Sequence, residues 1–343
     1  MPLISGHAHM WSLLTKLGLL LSGSMSIASV QPVEFWQDYP VRDTSVAFSE
    51  RDNRYYLTGT TGSPSWWNQN KGIQLWSSED MRTWTSVGPQ MLPGEAYGFV
   101  WTFERDATWQ TEPGAVWAPE IHFLRSTFWI PYSVKTASST GTGLLKSISG
   151  NASGPYVDVK VSGRLTGGID ASLFEDLITG DVFFLHQQGL IARMKGDLSD
   201  LAETPHLLTA ADGKEVGFEG IFAFSPPGLA GIVFLSGARF EQFNSSGHVS
   251  KVYSCHIARS DTGILGPYHE SYLLYEHCGH NTFFSDRDGK LWSTIFGNDK
   301  TAPFHERPGA FRIEMLSNGT LTPLSQSVPA RLHNDRIDLS LSG

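Results

Sequence analysis

The stretch GGIDASLFED (residues 167–176) decides the fold, together with its continuation: a turn at Thr179-Gly180-Asp181, then VFFLHQ (182–187) and LIARMKGDLSD (190–200). Short runs rich in Phe, Leu, Ile and Val are separated by Gly, Asp and Asn turns, and no helical period is sustained. That pattern reads as successive antiparallel strands joined by tight turns. A polar residue, Asp170, stands just before the first strand.

The same pattern recurs on both sides. Upstream lie RDTSVAF (42–48), a turn at Asp52-Asn53, RYYLTGTTG (54–62) and IQLWSSEDMRTW (73–84), then VWAPEIHFL (116–124) and TFWIPYSV (127–134). Downstream lie GFEGIFAF (217–224), GIVFLSGARF (231–240) and VYSCHIARSDTGILGPY (252–268), then GHNTFFSD (279–286), KLWSTIFGND (290–299) and FRIEML (311–316). Five units result. Each opens with a short strand and a polar residue: Asp43, Glu120, Asp170, Glu219 and His280. The middle intervals match the roughly 40–50 residues of a propeller blade, one four-stranded sheet each. An aromatic insertion between Gly94 and Gly114 lengthens the first interval. The expectation is an all-β, five-bladed β-propeller in a single domain over residues 33–343, with the five openers meeting at one mouth of its central channel.

Carboxylates brought together in a partly dry site cannot all ionise normally, so at least one pKa should rise. That suits acid–base chemistry. With 25 Lys and Arg against 34 Asp and Glu, the net charge of −9 lacks the basic footprint of a nucleic-acid binder. The apolar run Trp11 to Val30, interrupted by Lys16 and closed by Ser26-Ile27-Ala28, reads as a secretory leader over residues 1–28 and falls short of a membrane span. Sequons at Asn151, Asn244 and Asn318 agree with export and glycosylation. Two cysteines, Cys255 and Cys278, allow one disulfide or two buried thiols.

The motifs resemble glycoside hydrolase family 43, the five-bladed propeller arabinofuranosidases, xylosidases and arabinanases. The resemblance rests on Arg42-Asp43-Thr44-Ser45, Ala118-Pro119-Glu120, Ile169-Asp170-Ala171-Ser172-Leu173-Phe174, Phe218-Glu219-Gly220 and Gly279-His280-Asn281-Thr282, in that order. Thr44, Ala171 and Ile221 stand where the family has Pro, which removes a rigid φ and no reacting group. The resemblance implies inverting hydrolysis with Asp43 as general base, Glu219 as general acid and Asp170 as modulator of the acid's pKa. It implies arabinofuranosides or xylosides of plant-type oligo- and polysaccharides as substrates. No cofactor is required, although His280 would face a channel that holds calcium through water in some members. Glu120 is not one of the three carboxylates and reads as structural.

Other residues are expected to touch sugar. Trp66 and Trp67 lie in the loop SPSWWNQN, and exposed indoles stack on sugar faces. Gln187 and Arg193 are candidates for hydroxyl contacts. Trp101, Phe103 and Trp109 in the insertion suggest a lid or wall. The expected partner is an oligo- or polysaccharide, with no nucleic acid or membrane, and the chain is expected to be a monomer. Competing readings are a family 117-like glycosidase on another sugar and a sugar-binding propeller without turnover. Sucrose- and fructan-hydrolysing family 32 would need a Cys after the acid, where Gly220 stands. A WD-repeat scaffold would need a G-H…W-D signature that is missing.

Overall fold

A computed structural model describes residues 39–62, 70–108, 114–160, 164–245, 248–298 and 305–324, with the short pieces 34–35, 300, 302, 332–333 and 336–337. The leader expected over residues 1–28 lies outside the described residues, as do Trp66, Trp67 and Trp109.

The described chain is all-β, with one short helix, Phe103–Asp106. Five antiparallel sheets follow one another in sequence. The first comprises Arg42–Ser49, Arg54–Thr60, Trp76–Ser78 and Thr85–Ser86. The second is built on Gly114–Trp117, Thr127–Thr136, Thr140–Ser147 and Tyr156–Asp158. The third comprises Ser172–Glu175, Val182–His186, Leu190–Arg193 and His206–Leu207. In the fourth, Glu219–Phe224, Val233–Ser245, His248–Ser260 and Tyr272–Tyr275 pair in chain order. The fifth joins Phe283–Ser285, Leu291–Ile295 and Gly309–Met315 to Glu34–Phe35, so its outer strand comes from far upstream.

Apolar side chains fill the gaps between consecutive sheets. Tyr56, Val116, Phe128 and Tyr132 join the first sheet to the second. Trp129, Leu144, Leu173 and Phe184 join the second to the third. Phe183, Leu185, Ile221 and Leu235 join the third to the fourth. Ala238, Tyr253 and Phe296 join the fourth to the segment after Leu291–Ile295. Val46, Leu57, Phe284 and Trp292 join the fifth to the first. The central strands of the sheets, such as residues 128–134, Val182–His186 and Leu291–Ile295, therefore bury both faces, which explains their near-continuous apolar reading.

One expectation is corrected. Trp101 and Phe103 form no lid: Trp101 is 0% and Phe103 2% exposed, in the core between the first two sheets. They sit there because Phe99–Thr102 pairs with Gly72–Gln74 and folds the insertion inward. Of the two readings open for Cys255 and Cys278, the structure shows two buried thiols rather than a disulfide.

Candidate active site

The sheets share a local device at the start of their innermost strands. Asp43, Ala118, Asp170, Gly220 and His280 all have positive φ, between 43° and 62°. Non-glycine residues seldom adopt this region, and Asp, Asn and His tolerate it best. Such strain persists where the surroundings over-determine it, commonly at functional sites. At Gly220 a Cβ would lie 2.7 Å from His280 Cγ and 2.9 Å from its Cα, so a side chain there would force His280 to shift.

Neighbouring sheets pin these residues. The Asp170 N–H donates to Ser133 Oγ at 2.6 Å, and the Ala118 N–H donates to Thr60 Oγ1 at 2.7 Å. Thr60 in turn donates its hydroxyl to Asp43 Oδ2 at 2.6 Å. The Gly220 N–H donates to Asp170 Oδ2 at 3.1 Å, tying the backbone beside Glu219 to the third sheet. Glu219 begins its strand at a bulge, and Tyr253 donates its hydroxyl to Glu219 Oε1 at 2.7 Å. His280 Nδ1 stands 3.4 Å from Asp43 Oδ1 and 3.7 Å from Asp170 Oδ2.

Asp43, Asp170, Glu219 and His280 thus line one cavity of about 460 Å³. Arg42, Thr60, Trp117, Ile169, Phe218, Phe240, Tyr253 and Asn298 complete it. The Arg42 guanidinium donates to Asn298 Oδ1 across the rim.

The electrostatics follow from burial and crowding. Burial is the largest influence on Asp170 and pushes its carboxyl up. The charges of Glu219 and Asp43 add to this, His280 opposes it, and the net position is about 7. Burial also raises Glu219, with Asp43 adding to the effect, while the Tyr253 hydroxyl, His280 and Arg42 pull back. For His280, burial alone would lower the pKa, but Asp170, Asp43, Glu219 and Glu120 together raise it. The surrounding acids therefore hold His280 in its charged form to higher pH than an ordinary imidazole. Glu219 therefore keeps its proton to higher pH than an ordinary carboxyl, the direction a proton donor needs.

The remaining sequence candidates separate. Gln187 follows Val182–His186 and donates its N–H to the Ile169 carbonyl, but it does not line the cavity. Arg193 pairs with Phe183, at the end of the third sheet away from Asp170. Its guanidinium lies 3.7 Å from Asp181 Oδ2 and lines a separate surface groove, so the expected sugar contact at this cavity is not made. Alternation had placed its backbone in a strand without saying which end was near the site. Glu120, 3% exposed, lies 2.8 Å from His122 Nε2 and does not line the cavity. Sequence reading missed Thr60, Trp117, Tyr253, Phe218 and Phe240 as cavity residues. Trp117 had a usable signal, since it directly precedes Ala118-Pro119. Tyr253 had none, because its partner lies 34 positions away.

The sequence profile described as glycosyl hydrolases family 43 matches residues 38–321. The chain belongs to glycosyl hydrolase family 43. Solved structures of similar fold agree at low identity. An exo-1,5-α-L-arabinanase from a bovine ruminal metagenomic library is 16% identical with a TM-score of 0.59, over 85% of this chain and 100% of that one. A family 43 β-xylosidase/α-arabinofuranosidase from a compost microbial metagenome, in complex with xylotriose in a calcium-free form, is 14% identical with a TM-score of 0.65, over 88% and 98%. An endo-1,4-β-xylanase from Bacteroides thetaiotaomicron is 21% identical with a TM-score of 0.59, over 87% and 97%. No curated protein sequence matches the chain significantly. As a family 43 member the chain is a glycosidase that hydrolyses O-glycosyl bonds.

Hydrolysis in family 43 needs no cofactor. A directly held calcium ion would need six to eight oxygen ligands. Among the described residues no group of three or more His, Cys, Asp or Glu is arranged to hold a metal. His280 Nδ1 already faces two carboxylates, and Glu120 faces His122. These residues do not fit a directly held ion.

Proposed function

We propose that this chain is a secreted, inverting family 43 glycosidase that releases α-L-arabinofuranosyl or β-D-xylosyl units from plant-type oligo- or polysaccharides. The observation that carries this reading is one cavity holding Asp43, Asp170, Glu219 and His280, with the Glu219 carboxyl raised. In this reading the five sheets close as the blades of a propeller around that cavity. The apolar cluster linking the fifth sheet back to the first supports closure.

Inversion proceeds in one displacement. Asp43, aligned by the Thr60 hydroxyl, takes a proton from a water molecule as the water oxygen bonds to the anomeric carbon. The glycosidic C–O bond breaks on the opposite face, and Glu219 gives its proton to the departing oxygen. Asp170 accepts the Gly220 N–H and so fixes the backbone that carries the acid. The imidazolium of His280 keeps Asp43 and Asp170 apart yet close. Export is supported by the apolar leader pattern and by the exposed sequon residues Asn151 and Asn318. Among the described residues no helix is long and apolar enough to cross a membrane.

The test is a panel of 4-nitrophenyl glycosides, with the first-formed product anomer followed by proton NMR. The expected result is turnover of an α-L-arabinofuranoside or β-D-xyloside with an inverted anomer. A retained anomer, or turnover of neither sugar, overturns the reading.

A further inference from the structure

We infer that Phe218 and Phe240 form a stacking platform for the leaving-group sugar, so that the enzyme acts on substrates whose aglycone is itself a sugar ring. This rests on the proposed hydrolysis at the same cavity and names its acceptor side.

Three observations converge. First, the two rings lie nearly parallel, 5.5 Å apart with an interplanar angle of 16°, and both line the cavity. Secondly, Phe218 is 44% and Phe240 48% exposed in a chain whose other aromatic side chains are mostly packed between sheets. An adjacent pair of exposed rings is a costly surface unless something covers it. Thirdly, the pair stands on the side of the proton donor. Phe218 directly precedes Glu219, and Tyr253 links the two features. Its hydroxyl donates to Glu219, and its ring packs 4.9 Å from Phe240 and 6.2 Å from Phe218.

The geometry of inversion assigns the side. Base and acid act on opposite faces of the anomeric carbon, so the leaving oxygen is on the Glu219 side, away from Asp43. A group attached to that oxygen emerges against Phe218 and Phe240. A sugar ring has an apolar C–H face that stacks on an aromatic ring, whereas a small alcohol or a halide does not reach it.

The fold extends this surface outward. Val233–Ser245 and His248–Ser260 pair along their whole length, but Glu219–Phe224 covers only Phe234 to Ala238. From Arg239 onward the hairpin runs on alone past the acid, for roughly 20 Å at the rise of an antiparallel strand. The Phe218 N–H donates to the Ala238 carbonyl, which brings Phe218 beside Phe240 at the root of this ribbon. Phe240 faces Tyr253 across it. Two residues further out, on the same face by strand alternation, the exposed Gln242 and Lys251 stand opposite each other. Aromatic rings followed by hydrogen-bonding side chains suit an acceptor of more than one sugar.

The experiment compares two leaving groups on one glycone. Xylobiose is set against β-D-xylosyl fluoride, and α-1,5-arabinobiose against α-L-arabinofuranosyl fluoride. In the Phe218→Ala/Phe240→Ala variant, kcat/KM is expected to fall about tenfold more on the disaccharide than on the fluoride, chiefly through KM, the effect of one or two lost ring contacts. Phe240→Tyr, which keeps the ring, is expected to restore most of the disaccharide rate. If the double variant folds poorly, Phe240→Ser alone, on the exposed ribbon, gives the same comparison with an effect of about threefold. Equal losses on both leaving groups, or no loss on the disaccharide, overturn the platform. A wild-type enzyme that turns over neither disaccharide nor fluoride would instead overturn the hydrolysis reading.

Discussion

Asp170 and Glu120 begin from the same description. Each is a buried carboxylate at the start of the innermost strand of a sheet, in consecutive sheets of one chain. Asp170 occupies the positive-φ position itself and lines the cavity, 3.7 Å from His280. In the second sheet that position belongs to Ala118, and the acid comes two residues later, where it meets His122 at 2.8 Å. Asp43 and His280 share the pattern of Asp170, and Glu219 lies one residue before the left-handed Gly220. Position relative to the left-handed residue decides whether an acid lines the cavity or serves the packing. Residue type alone does not.

The strongest challenge to that distinction is to remove the proposed base and acid. Asp43→Asn and Glu219→Gln are each expected to lower kcat at least about a thousandfold, the upper range for positioned acid–base groups. Steady-state kinetics against a disaccharide would show it, and a loss below tenfold at either position would place the chemistry elsewhere.

Gly220 offers a sterically sharper test. Gly220→Ala places a Cβ against His280 at a φ of +62°, so both strain and a clash arise. The expected cost is about 1–3 kcal/mol of stability, read by denaturant unfolding, together with a clear fall in kcat. Gly196→Ala, with open space around its Cβ, should do neither.

The pH behaviour sharpens the comparison further. A carboxyl at about 7 in the folded protein and near 3.8 when unfolded favours the fold while protonated. That stability is fully present below about pH 4 and is lost as the pH rises through 7. Asp170→Asn should therefore raise the melting temperature by several degrees at pH 8 and by little at pH 4. Scanning calorimetry at the two pH values checks this. Tyr253→Phe removes a hydrogen bond that favours the ionised form of Glu219, so the alkaline limb of kcat/KM should move to higher pH. The smallest effects belong to residues outside the cavity: Gln187→Ala and Arg193→Ala should change kcat/KM by less than about twofold.

Much of this architecture is legible in the sequence. The all-β class comes from apolar runs such as Val182–His186, closed by Gly and Asp turns. The polar openers Asp43, Asp170, Glu219 and His280 mark residues that the fold brings to one cavity. The five openers look equivalent in sequence, however, and they are not. Glu120 is out of step because Ala118 takes the left-handed position, a backbone property that composition does not announce. Trp101 and Phe103 read as a wall because a buried ring and an exposed ring are the same letter. The links from Tyr253 to Glu219 and from Phe240 to Phe218 depend on hairpin register, which alternation leaves free by whole residue pairs.

The difference between Asp170 and Glu120 is tested most directly by kcat/KM for Asp170→Asn and Glu120→Gln, measured side by side on the same disaccharide at the wild-type pH optimum. Asp170→Asn should lose at least about a hundredfold and Glu120→Gln less than about fivefold, the difference between a group at the reacting centre and one that packs behind it. Similar losses in the two variants, or a larger one at Glu120, would contradict it.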